Sequence, residues 1–112
     1  MKPLIHKELA DGRWFTFSIL EQLGNVGSEF ERATSAYQRG DRERFESAFE
    51  RMLELLDLTI EDPKWRGRRL RELLRLREEV CDVFHGNAIF GTSIETLKKY
   101  FLYFGIAARA DR

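Results

Sequence analysis

The chain has 112 residues, 43% of them apolar and 34% charged, and its 19 basic residues are balanced by 19 acidic ones. Zero net charge removes any whole-molecule attraction to nucleic acid or to an anionic membrane, and one cysteine, Cys81, excludes an internal disulfide framework and a cysteine-rich zinc site. No window reaches the roughly 18 consecutive apolar residues of a membrane span, and the charged N-terminus lacks the apolar core of a secretory signal, so a soluble, cytoplasmic, single-domain protein is expected.

Residues 1–12 read as a short arm, with Leu4, Ile5 and Leu9 able to pack and Pro3 and Gly12 breaking regularity. A first helix is predicted over 13–38, with Asp11 as its cap and Gly40 just beyond its end. Its apolar residues Ile19, Leu23, Val26, Phe30, Ala33 and Tyr37 step by threes and fours, the period of one helix face. Gly24 and Gly27 interrupt that helix at a cost of ~1 kcal/mol each relative to alanine. Such a cost is accepted where a neighbouring helix comes close, the alternative being a kink in the helix.

A second helix is predicted over 41–61, capped by Asp41, carrying Phe45, Phe49, Met52 and Leu56 and ending before Pro63. Asp62 followed by Pro63 is a start signal for a third helix over 63–84, with Gly67 able to set residues 63–66 apart as a turn. The short connection makes helices two and three antiparallel neighbours. Thr92 with Glu95 three positions later reads as a capping box for a fourth helix over 93–108. Its stripe is Ile94, Leu97, Phe101, Phe104 and Ala108. Four such stripes predict an all-α, four-helix up-and-down bundle with a short N-terminal arm.

Three features depart from that pattern. Arg77 projects near the centre of the third apolar arc, between Leu73 and Val80, where a guanidinium needs a carboxylate partner. Glu29, Glu31 and Asp57 lie near the edges of their own arcs, and Glu29 is the favoured partner in a buried ion pair that fixes register. The alternative is an anion-binding or catalytic arginine in a cleft. Lys64, Arg68, Arg71 and Arg75 form a basic stripe on the outer face of the same helix. Glu50, Glu54, Asp57 and Glu61 of helix two offer it complementary charge, and the alternative is a phosphate-binding stripe for RNA. On helix four, Tyr100, Leu102, Tyr103 and Ile106 extend the apolar surface beyond the stripe, as Trp14 and Phe17 do on helix one. Either the arm covers these patches or they form a subunit interface, most simply of a two-fold homodimer.

No enzyme signature emerges. His6 and His85 have no nucleophile to activate, the paired Glu-x-x-His of a di-iron bundle is missing, and neither a metal nor a cofactor is expected.

The segments Gly27–Ala33, Leu55–Thr59, Asp62–Arg66 and Leu76–Asp82 resemble a family of small uncharacterised prokaryotic helical proteins. Size and architecture are also similar to the HEPN class of four-helix bundles, which includes toxin ribonucleases and partners of minimal nucleotidyltransferases. That second resemblance implies an arginine followed after four to six residues by a histidine at a dimer cleft. Here the nearest match is Arg77 with His85, seven residues intervening. The leading expectation is therefore a non-enzymatic protein-interaction module that forms a homodimer. The rival is a HEPN-like RNA-binding or RNA-cleaving protein using Arg77, His85 and the basic stripe.

Overall fold

The computed structural model describes residues 11–85 and 92–110. The expected packing of Leu4, Ile5 and Leu9, the position of His6 and the loop after His85 fall outside them. A 3-10 turn, Arg13–Thr16, precedes four helices: α1 Ile19–Arg39, α2 Arg42–Glu61, α3 Gly67–His85 and α4 Ile94–Ala110. Among the described residues none of these helices is long and apolar enough to cross a membrane.

The four helices form, but three of their starts differ from expectation. Helix one does not run from Arg13, because Ser18 and Glu21 make a capping box there. The Ser18 Oγ accepts from the Glu21 amide at 3.1 Å, while the Glu21 carboxylate accepts from the Ser18 amide at 3.1 Å. That reciprocal pair satisfies two of the free amide donors of a new helix start. Asp11 is thus not the cap. Helix three begins at Gly67 and not at Pro63: the Asp62 carboxylate accepts from the Lys64 amide at 2.9 Å, the Trp65 amide donates to the Asp62 carbonyl at 3.1 Å, and Gly67 then takes φ of 57°. This local turn outcompetes the first helical turn, and glycine alone enters the left-handed region without strain. On α4 the cap is Ser93, whose Oγ accepts from the Thr96 amide at 3.1 Å, and not Thr92. The expected start of α2 holds, with the Asp41 carboxylate accepting from the Arg44 amide at 3.2 Å.

Helix α1 is the middle of the structure, packed against α2 on one side and α4 on the other, and α3 lies against α2. The helices alternate in direction. Phe45 near the start of α2 meets Phe84 at the end of α3, ring centroids 5.1 Å apart. Gly24 of α1 faces Gly105 of α4, and Gly27 faces Phe101, so α1 and α4 run antiparallel as well. Gly27 permits a close approach, as its cost implied, whereas a Cβ on Gly24 would meet α4 at ordinary contact distances of 3.6 Å and beyond. A Cβ on Gly27 would lie 2.8 Å from the Cβ of Phe101.

The core is one cluster. Phe30 joins three helices, its ring centroid 5.8 Å from that of Phe84 and 5.1 Å from that of Phe101. Leu23, Val26, Met52, Leu56, Leu73, Val80 and Leu97 fill the space around it. Burying each such side chain contributes roughly 1.5–3 kcal/mol.

Candidate functional site

Arg77 was expected in the middle of the α3 arc, paired with Glu29. It lies instead on the flank of α3, and its partner is Asp57 of α2: the Arg77 Nε donates to Asp57 Oδ1 at 2.6 Å. Their side chains are 39% and 50% exposed. The displacement traces to Leu74, an apolar residue one position after Leu73 that stands exposed. Without it the arc centres on Leu73, Leu76, Val80 and Phe84, which are buried. The hydrogen bond to Asp57 raises the Arg77 pKa further, against the effect of partial burial.

His85 does not meet Arg77. It is the last residue of α3, exposed, with its ring against Phe49 at 4.9 Å and Phe45 at 5.6 Å. It lies eight helical steps from Arg77, a rise of about 12 Å. Arg77 is paired away from the histidine. No acid–base pair is assembled from these two side chains.

The basic stripe also breaks up. Lys64 precedes α3, and its ammonium donates to the carbonyls of Phe15 and Phe17, sits 3.1 Å from Asp62 Oδ2 and lies over the Trp65 ring. Arg75 pairs with Glu79 at 3.1 Å one turn on. Arg68 and Arg71 are exposed. Lys64 is thus fixed at the chain's corner and Arg75 is paired along the helix, which leaves Arg68 and Arg71 as the exposed cations between them.

Of the candidate interface residues, three stand out from the molecule. Leu102, Tyr103 and Ile106 are 58%, 66% and 52% exposed on the outer face of α4. Tyr100 is not part of that surface: it is half-buried, its ring 5.0 Å from that of Phe104. Burial raises its phenol pKa, as does the charge of Glu72 and Glu79 on α3, against an opposing effect of Arg69.

Two polar constellations were not foreseen. The first is a sealed corner. The Trp14 indole donates to the Thr59 hydroxyl at 3.0 Å, and the Thr59 hydroxyl donates to the Leu55 carbonyl at 2.8 Å. The Gln22 amide nitrogen donates to the Trp14 carbonyl at 3.0 Å and to Asp62 Oδ2 at 2.8 Å, while its oxygen accepts from the Trp65 indole at 2.7 Å. Trp14, Gln22, Thr59 and Asp62 are all buried. Burial pushes the Asp62 pKa up, but the hydrogen bonds from Gln22 and Lys64 and the Lys64 charge outweigh it, and the net shift is downward. Every polar group in this corner has a partner, which marks it as a lock on the fold and not a place that awaits a ligand. From the sequence Asp62 reads as part of a helix start signal; in the structure its carboxylate is buried in this corner.

The second constellation centres on Glu29. Its buried carboxylate accepts from Arg32 Nη1 at 2.8 Å and from Arg51 Nε at 3.1 Å. Arg51 also donates to the Ser47 hydroxyl at 2.8 Å. Glu29 thus serves as the interhelical acid expected of it, but for α1 and α2 and with a different arginine. Among the described residues no group of His, Cys, Asp and Glu side chains is arranged to hold a metal ion.

No family model matches the chain, and neither any curated protein nor any solved structure is significantly similar to it.

Proposed function

We propose that the protein is a non-enzymatic interaction module that pairs with a second copy of itself through the outer face of α4. The observation that carries this reading is the apolar surface of Leu102, Tyr103 and Ile106. The three lie within two helical turns, so their side chains form one patch, with the exposed Lys99 and Arg109 nearby on α4 as its charged rim. Interface centres favour an aromatic and aliphatic patch bounded by charge. A helix face that meets its own copy about a two-fold axis buries every residue of the patch twice.

The rival reading, RNA cleavage by a HEPN-like arginine and histidine, draws less support, because Arg77 is committed to Asp57 and stands about 12 Å along the helix from His85. The test is cross-linking of a Tyr103→Cys variant in a Cys81→Ser background. Residues near a two-fold axis face their own copies, so mild oxidation should give a disulfide-linked dimer. A Glu43→Cys control, exposed on α2, should stay monomeric. Equal cross-linking of the two variants would refute the assigned face.

A further inference from the structure

Four arginines converge on one groove between α1 and α2. Arg32 and Arg39 come from α1, and Arg44 and Arg51 from α2, around a cavity of about 460 Å³. The cavity exists because the residues along that seam are small: Ala36 and Ala48 are buried at its floor, and Ser35 and Ser47 are exposed beside it. Each helix contributes two arginines seven residues apart, a spacing of about 10 Å along the axis. The helices run antiparallel, so Arg39 and Arg44 stand near the turn, while Arg32 and Arg51 meet at Glu29 at the other end.

We propose that this groove binds an oligophosphate anion, a short chain of linked phosphate groups held between its two arginine pairs. Glu29 acts as the positioning residue. Its side chain is 10% exposed, and it takes one donor of Arg32 and one of Arg51, which fixes both guanidiniums at the groove. A guanidinium carries five donors, so these contacts, with the one to Ser47, leave donors on both arginines for a ligand. Glu31 lines the rim, and Asp41 lies 3.5 Å from Arg44. Counting the four arginines against Glu29, Glu31 and Asp41 gives 4 − 3, one net positive charge. Affinity therefore rests on the match of forked N–H groups to phosphate oxygens more than on bulk charge.

Two observations select the ligand class. Arginine pairs separated by about 10 Å are bridged by several linked phosphates and not by one. None of the side chains lining the groove is aromatic, so it offers no stacking platform of the kind that single-stranded nucleic acid uses.

The experiment is calorimetric titration of the full chain with inorganic tripolyphosphate, orthophosphate, a nucleoside triphosphate and a short single-stranded RNA at about 50 mM salt. Tripolyphosphate should bind at least about tenfold tighter than orthophosphate, because it engages both arginine pairs. The nucleoside triphosphate should match it within about threefold, since only the phosphate chain is recognised. An Arg39→Gln/Arg44→Gln variant leaves the Glu29 network intact and should keep its unfolding temperature while losing about tenfold or more in affinity. The proposal is overturned by any one of three results: no tripolyphosphate binding, unchanged binding by the double variant, or a clear preference for the RNA or for the nucleotide.

Discussion

Gln22 of α1 and Asp62 at the end of α2, forty residues apart, are joined by a 2.8 Å hydrogen bond sealed from solvent. The Gln22 amide nitrogen donates to Asp62 and to the Trp14 carbonyl while its oxygen accepts from the Trp65 indole, so one side chain ties the turn before α1 to the turn before α3. Gln22→Ala should therefore cost on the order of 1–3 kcal/mol, because it strands the Trp65 indole donor and leaves the buried Asp62 Oδ2 with Lys64 alone. Urea unfolding measures this directly, and a loss below about 0.5 kcal/mol would mean that water replaces the amide at no cost.

Asp62 gives the corner a pH dependence. Its folded pKa lies below the ordinary 3.8, so its contribution is present above that value and is lost as pH falls through the folded pKa. Wild-type stability should drop more steeply than that of Asp62→Asn below about pH 4, with the variant less stable at neutral pH. Unfolding midpoints across an acid series provide the comparison, and parallel curves would contradict the assignment.

The two glycines of α1 should respond in opposite directions. Gly27→Ala drives a methyl to 2.8 Å from the Phe101 Cβ, which cannot rotate away. A loss of about 1–3 kcal/mol is expected from overpacking. A Cβ at Gly24 meets Gly105 and Ala108 at 3.6 and 3.8 Å, ordinary contact distances. Gly24→Ala should gain up to about 1 kcal/mol from helix propensity. Thermal melts of the two variants distinguish the sites.

Arg77 and Glu29 should also separate. The Arg77–Asp57 pair is half exposed, so Arg77→Ala should cost no more than about 1 kcal/mol. Glu29→Ala removes a buried acceptor shared by two arginines and should cost about 1–3 kcal/mol. Equal losses would place Arg77 back in the core.

What was legible in the sequence follows from which forces act locally. The helix count came from apolar period, and Gly27 signalled a close neighbour, though not that the neighbour would be α4. Ser18 with Glu21 was a readable capping box, masked by the apolar residues Trp14, Phe15 and Phe17 that suggested a longer helix. Arg77 was misplaced because a wheel weights exposed Leu74 as heavily as buried Leu73. The Trp14–Gln22–Asp62 corner was only partly legible: Gln22 lies three residues after Ile19 and four before Val26, on the apolar face, but its partners lie on other segments that periodicity does not bring together. The arginine groove was hidden for the same reason, since Arg32, Arg39, Arg44 and Arg51 are ordinary surface residues until α1 and α2 are laid side by side.

The most direct test of the interaction-module reading is the solution mass of the purified protein by light scattering during size exclusion. Pairing through α4 predicts 2 × 13.2 kDa, or 26.4 kDa, and a 13.2 kDa species for Leu102→Glu/Ile106→Glu with its helical circular dichroism unchanged. A wild-type mass of 13.2 kDa at every concentration, or a dimer that survives the double substitution, would contradict it.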